Sequence, residues 1–514
     1  MFAYSKLSIR SAKSATQSVR TMATKENLVE FNVQGNARTV TLNRPGKLNA
    51  LNTEMCQEIT RRFLEFSNSN AAKVFLIKSN SERAFCSGGD VVQCAKNNLA
   101  GEEKKSLEFF KDEYNLNYLL SIYGKPIVSL VNGIVMGGGV GLSVHGAFRV
   151  VTETTRFAMP ETSIGFFNDV GTSFWLPKID SNLGYYLSLT GDELHGFDTL
   201  LAGFGTHYVP TNRFPELINR LSELELKHLA VDTRKNTIFN HKNNAQLFSL
   251  VNTVIEEFTI EIPKNHKFKY TNEQLDVIEK CFNPDTNKSV VDVIKSLHKD
   301  GSKFALETID KLRSKSPLSL HLNWTILQRN RNSTIQESLN RELKLAAKLM
   351  TNYRDNDFND FIKNKLIEKN SDAIISKYAK TIEDVPASVV DDLVSLDVYN
   401  PKNPASPEEA EKQIELLNSL KIESFNNVGE RVSNFANYPH HMGLPTQAEI
   451  ETFVKGDDSK TAVDGKVMVS FKEVLEYFRF KYDGKSGVDA KVKLVLNRKS
   501  RPSSINEDYI EWRE

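Results

Sequence analysis

Cysteine is scarce in this chain: four in 514 residues, at Cys56, Cys86, Cys94 and Cys281, and no Cys-x-x-Cys pair. That excludes a disulfide scaffold, and no cysteine–histidine spacing resembles a zinc site. Reduced thiols in an intracellular compartment are expected. Net charge is almost absent too, +1 from 66 basic and 65 acidic residues. Bulk attraction to nucleic acid or membrane is excluded, though local patches are not. There is no run of about 18 apolar residues to span a bilayer. Acids are missing from the first 25 residues, which carry Lys6, Arg10, Lys13, Arg20 and Lys25 among serines. An acid-free, Arg/Ser-rich start reads as a mitochondrial transit peptide, residues 1–23, against the alternative of a basic tail.

What is present is ordinary globular composition, 40% hydrophobic and 25% charged, in a length that allows two or three domains. From about Arg38 to Val209 short β-branched runs alternate with helical patterns, which predicts an α/β architecture. "ARTVTLN", "KVFLIKS" (Lys73–Ser79), "KPIVSLVNG" and "FRVVTE" read as strands. The second is nearly all apolar, so both of its faces are expected to be covered. Met55, Ile59 and Phe63 recur at helical spacing behind the candidate caps Asn52 and Thr53. Residues 216–395 are mostly charged helical patterns. "YNPKNPASPEEA" (Tyr399–Ala410) reads as a linker or sharp turn. Beyond it lies a mixed segment with an amphipathic "SFKEVLEYFRFKY" and a basic end, "KVKLVLNRKSRP". The expected units are 24–215, 216–395 and 396–514.

Three consecutive glycines, Gly137–Gly139, follow the strand "KPIVSLVNG". They satisfy neither GxGxxG nor the P-loop pattern. "GLSVHG" only approximates a nucleophile elbow, and Ser143 and His145, two apart on a helix, face different directions. Two readings remain: close helix–strand packing, or a bare helix start whose backbone N–H groups receive a ligand oxygen. A second glycine segment, "AFCSGGD" (Ala84–Asp90), would supply a partner N–H for one developing oxyanion.

"NRPGKLNALN", "AFCSGGD", "VNGIVMGGGVGLSVHGAFRV", "FAMPETSIGFFNDVG" and "LGYYLSLTG", in this order, resemble the crotonase (enoyl-CoA hydratase/isomerase) superfamily, and within it the 3-hydroxyisobutyryl-CoA hydrolase branch. The likeness spans roughly residues 29 to 370, and residues 396–514 carry no recognised enzyme motif. It implies a spiral of repeated ββα units followed by an α-helical region, with a mixed C-terminal extension. It implies an oxyanion hole from the backbone N–H groups of Ser87 and Gly138. Glu161 and Asp169 would be catalytic and Glu113 a substrate-binding group, Gly138, Glu161 and Asp169 also lining the bound substrate. Glu161 would act as nucleophile or as general base. No metal or bound cofactor is implied, since CoA arrives within the acyl-CoA substrate. Homo-oligomer formation stays open. The branch also has relatives within the fungal mitochondrial small ribosomal subunit, which implies a second class of role. Lys491, Lys493, Arg498, Lys499 and Arg501 would then either meet phosphates or form a solvated strand edge and tail. Two departures stand out. Asn168 precedes the aspartate where the family has proline, with Gly171–Ser173 replacing a glycine run, and Gly141 occupies the position of the hydratases' second catalytic glutamate.

Overall fold

The computed structural model describes residues 27–224, 241–351, 357–370, 376, 379–395, 407–425, 434–456 and 468–513. The acid-free start and residues 399–406 of the expected linker lie outside them; residues 407–410 of that linker instead open the helix Pro407–Ser419. Strands β1 (Val29–Gln34), β2 (Ala37–Leu42), β3 (Val74–Ser79), β5 (Ile127–Val131), β7 (Phe148–Val151) and β10 (His207–Tyr208) form one sheet in the order β1-β2-β3-β5-β7-β10. Only β1 and β2 pair antiparallel; every other neighbour is parallel. A smaller sheet stands beside it in the order β4-β6-β8-β9, from β4 (Ala84–Cys86), β6 (Ile134–Met136), β8 (Arg156–Ala158) and β9 (Leu194–His195). Each strand of the small sheet up to β8 follows one of the large sheet, as in a spiral of repeating units.

The apolar run of β3 is covered on both faces, as its composition predicts. Phe75 and Ile77 enter the main core, whereas Val74 and Leu76 join a second cluster closed by the helices Phe214–Ser222 and His241–Glu256. The helix Thr53–Ser67 is capped by Asn52, whose side chain accepts from Met55 N–H. Among the described residues, no helix is long and apolar enough to cross a membrane.

The main core does not stop at residue 395. Phe453, Phe478, Val488, Val492 and Leu496 are buried within the same cluster as the strands. "KVKLVLNRKSRP", expected as a solvated strand edge, is mostly the helix Val488–Lys499. Val488, Lys491, Val492, Val495 and Leu496 fall on one helical face, and that face is buried. Its cations are engaged by acids of the chain, Lys491 and Arg498 from buried positions and Lys493 and Arg501 at the exposed surface. Lys491 pairs with Asp180 at 2.8 Å, and Arg498 with Asp276 at 2.9 Å and Glu279 at 2.6 Å. Lys499 also pairs with Glu279, Lys493 with Asp489 and Arg501 with Glu511.

Candidate active site

The two glycine segments meet. β6 runs into Gly137, whose φ of +46° favours glycine, and the helix Gly138–Val144 starts there. A Cβ on Gly138 would stand 3.2 Å from the Gly89 nitrogen and 2.2 Å from Glu113 Oε1. One on Gly137 would stand 3.1 Å from Glu161 Oε1, and one on Gly139 only 2.2 Å from the Cys86 carbonyl oxygen. Gly139 thus serves close packing, the first of the two readings, and Gly137 and Gly138 keep the space before two acids bare.

Ser87 is not one of the donors. Its N–H is spent on the Leu48 carbonyl at 3.0 Å, and Asp90 N–H on Leu51 at 2.8 Å, because this loop runs beside residues 48–51. Among the described residues, the N–H groups of Gly89 and Gly138 have no acceptor. The first donor position thus moves two residues, from Ser87 to Gly89.

Three carboxylates converge on this space. Glu113 comes from the helix Glu103–Ser121, Glu161 from the turn after β8, and Asp169 from the loop that follows. None is more than 5% exposed. Burial raises all three pKa values, and mutual repulsion adds to it for Glu113 and Glu161; Asp169 stands at about 7. Their hydrogen bonds differ. Tyr114 O–H donates to Asp169 Oδ2 at 2.6 Å, and Asn168 Nδ2 donates to Glu161 Oε2. Glu113 Oε1 is buried with no partner. Donors favour the ionised form, and Glu113 Oε1 is the oxygen that has none.

The Asn168 departure has a structural use. Besides reaching Glu161, its side chain accepts from Ser188 O–H, and its backbone N–H donates to Asn323 Oδ1 at 2.7 Å. Proline would offer neither donor. The loop beyond Asp169 is held from two sides. Glu342, on the helix Ile335–Met350, accepts from Gly171 N–H at 2.7 Å and from the Ser173 hydroxyl. His145 Nε2 donates to the Val170 carbonyl at 2.7 Å, so its Nδ1 accepts from Tyr438 O–H at 2.9 Å. Burial pushes the His145 pKa down to about 4, which keeps the ring neutral. Glu342 and Tyr438 went unrecognised in the sequence, hidden in a charged helical pattern and in an extension without motifs.

Gly141 leaves no room for a second carboxylate there. A Cβ on it would meet Val170 Cβ at 2.6 Å and Asn117 Nδ2 at 2.9 Å. Val170 fills the place from a φ of +53°, a conformation β-branched residues avoid.

The family model for enoyl-CoA hydratase/isomerase matches residues 37–394. The chain belongs to this family. Among solved structures, a carnitinyl-CoA dehydratase from Mycobacterium thermoresistibile is similar over 72% of this chain and 97% of its own, with a TM-score of 0.59 at 29% identity. Among curated relatives, the mitochondrial 3-hydroxyisobutyryl-CoA hydrolase of Homo sapiens is 36% identical over 68% of this chain and 84% of its own length. The small ribosomal subunit protein mS47 of Neurospora crassa is 34% identical over 95% of this chain and 88% of its own length. The hydratase/isomerase match thus ends before the segment that carries Tyr438, while the mS47 match covers nearly the whole chain.

Proposed function

We propose that the protein is a mitochondrial matrix hydrolase that cleaves the thioester of 3-hydroxyisobutyryl-CoA to 3-hydroxyisobutyrate and CoA. One observation carries this reading: two bare N–H groups, Gly89 and Gly138, face a carboxylate set that contains Glu161 but has no room at Gly141 for a second hydratase acid. The thioester oxygen would accept from both N–H groups as the carbonyl carbon becomes tetrahedral. Each such donor contributes about 3–4 kcal/mol to transition-state stabilisation. Glu161 either attacks that carbon to give an anhydride that water opens, or takes the proton of an attacking water. In both routes a C–O bond forms, the C–S bond breaks, and the thiolate leaves and is protonated. Asp169, poised near 7, is suited to exchange that proton. Glu113, with an unpartnered oxygen, suits the substrate's 3-hydroxyl.

A thiol-release assay on 3-hydroxyisobutyryl-CoA tests the proposal, with crotonyl-CoA hydration as control. Thiol release with little hydration is expected; efficient hydration without thiol release overturns it.

A second role rests on a different observation, the match to mS47 along 95% of this chain. We propose that the protein also associates with the mitochondrial small ribosomal subunit. Co-sedimentation that survives rising salt is expected, and a protein that stays at the top of the gradient at every salt concentration refutes it.

A further inference from the structure

A cavity of about 450 Å³ lies away from the acids, between the hydratase/isomerase core and the C-terminal segment. The core wall includes Trp175, Val144 and Leu200; the loop 437–446 supplies the opposite wall, including Met442 and Leu444. The loop lies outside residues 37–394, so the cavity exists only because the extension folds back over the core. His440 anchors that loop by stacking on Phe248 with 3.7 Å between ring centroids.

The charges on this wall are unbalanced. Lys125, Arg149, Lys178 and Lys491 line the cavity, and Asp180 is the only Asp or Glu among the lining residues. Asp180 is already engaged, by Lys491 at 2.8 Å and by Gln447 N–H at 3.0 Å. Arg149 donates only to backbone: Nε to the Phe204 carbonyl and Nη1 to Gly146 at 3.1 Å, leaving Nη2 without a partner among the described residues. Lys178 Nζ donates to the Phe174 carbonyl at 2.8 Å and lies over the Phe174 ring. Among the described residues, neither cation has a carboxylate within ion-pair distance. Two half-buried cations without a counter-charge are costly, and an anion that brought its own apolar cover would offset that cost. Burial pushes the Lys178 ammonium down to about 8, as such a setting requires.

We propose that this cavity binds a small amphiphilic anion, its carboxylate or phosphate head between Arg149 and Lys178 and its aliphatic or aromatic body against Trp175 and the 437–446 loop. The volume is that of a small-molecule site, and the lining combines apolar walls with a few polar anchors. The head must be anionic because both anchors are donors only. The body is apolar because Trp175, Val144, Leu200, Met442 and Leu444 supply the surface it would lie against.

Calorimetric titration of the full chain with octanoate, octyl phosphate and octanol reads this directly. Saturable binding of one or both anions is expected, tighter than octanol by about tenfold or more, the value of a charge-assisted contact. Lys178→Met should weaken the anions about tenfold while sparing octanol. Met442→Trp, which fills the cavity and keeps both cations, should abolish binding of all three. A diazirine analogue of octanoate, photo-crosslinked to the unaltered chain, gives a readout that no folding defect can blur. Label on 175–180 or 437–446 is expected. No saturable anion binding, octanol binding as tightly as the anions, or label confined to other segments overturns the assignment.

Discussion

Glu113, Glu161 and Asp169 cannot all be ionised in one buried space, so the trio shares its protons and titrates as a unit. For Asp169 the sign follows from its pKa of about 7 against 3.8 in the unfolded chain. The folded state binds the extra proton between those values, so stability falls as pH rises from about 4 to 7. In the proposed hydrolysis activity runs the other way, because Glu161, which shares the trio's protons, must be ionised to attack or to take a proton. We expect kcat/KM to rise with pH through an apparent value near 7, read from a pH–rate profile of thiol release. Tyr114→Phe removes the donor that favours the ionised carboxylate, and should shift this limb to higher pH. Glu161→Gln should lower kcat by roughly 10²–10⁴ with the fold intact. Gly141→Glu tests the other side of the assignment. It should add no hydratase activity and should cost about 1–3 kcal/mol in denaturant unfolding, because Val170 and Asn117 already occupy the space.

At the scale of elements, the Asp169 loop is a short segment in an unfavourable conformation, held by parts distant in sequence. Val170 at φ +53° persists because the peptide that follows it is gripped at both ends, its carbonyl by His145 and the Gly171 N–H by Glu342. Glu342→Gln places an amide where two N–H groups need acceptors, and should destabilise by about 1–3 kcal/mol on urea titration. Tyr438→Phe deprives the neutral His145 ring of one donor and should cost about 1 kcal/mol on the same titration. These grips also mark where sequence reasoning ran out. The strands β2, β3, β5 and β7, the Asn52 cap and the glycine helix were legible because apolar runs, capping residues and glycine triplets are local signals. Glu342 was not, since an acid in a charged helix looks like every other surface acid until its 0% exposure is known. Ser87 was placed too early by two residues for a related reason. Which N–H of "CSGG" stays free depends on the neighbouring Leu48 carbonyl, 39 residues away in the chain and invisible to spacing.

The molecule as a whole is tied together by its C-terminus. Lys485 reaches Glu256 at 2.6 Å, Lys491 reaches Asp180, and Arg498 reaches Asp276 and Glu279. Composition exposed Lys491 and Arg498 but not their partners, which is why a clamp was read as a tail. Ending the chain at residue 395 should therefore deprive Asp180, Glu256 and Glu279 of their lysine and arginine partners and open the main core. The expected outcome is aggregation or a clearly lower melting temperature by calorimetry; a truncated chain that melts like the full one would show the extension to be dispensable.

The Tyr438–His145–Val170 path has a thermodynamic corollary. Whatever grips the 437–446 loop and displaces Tyr438 alters the support of the peptide next to Asp169, and so the free energy of binding any ligand at the acid trio, the proposed acyl-CoA included. Linkage is reciprocal: occupancy of the acid trio must change the affinity of that gripping ligand or assembly by the same factor. A metabolite in one compartment of the fold would thus report its concentration to whatever holds the other.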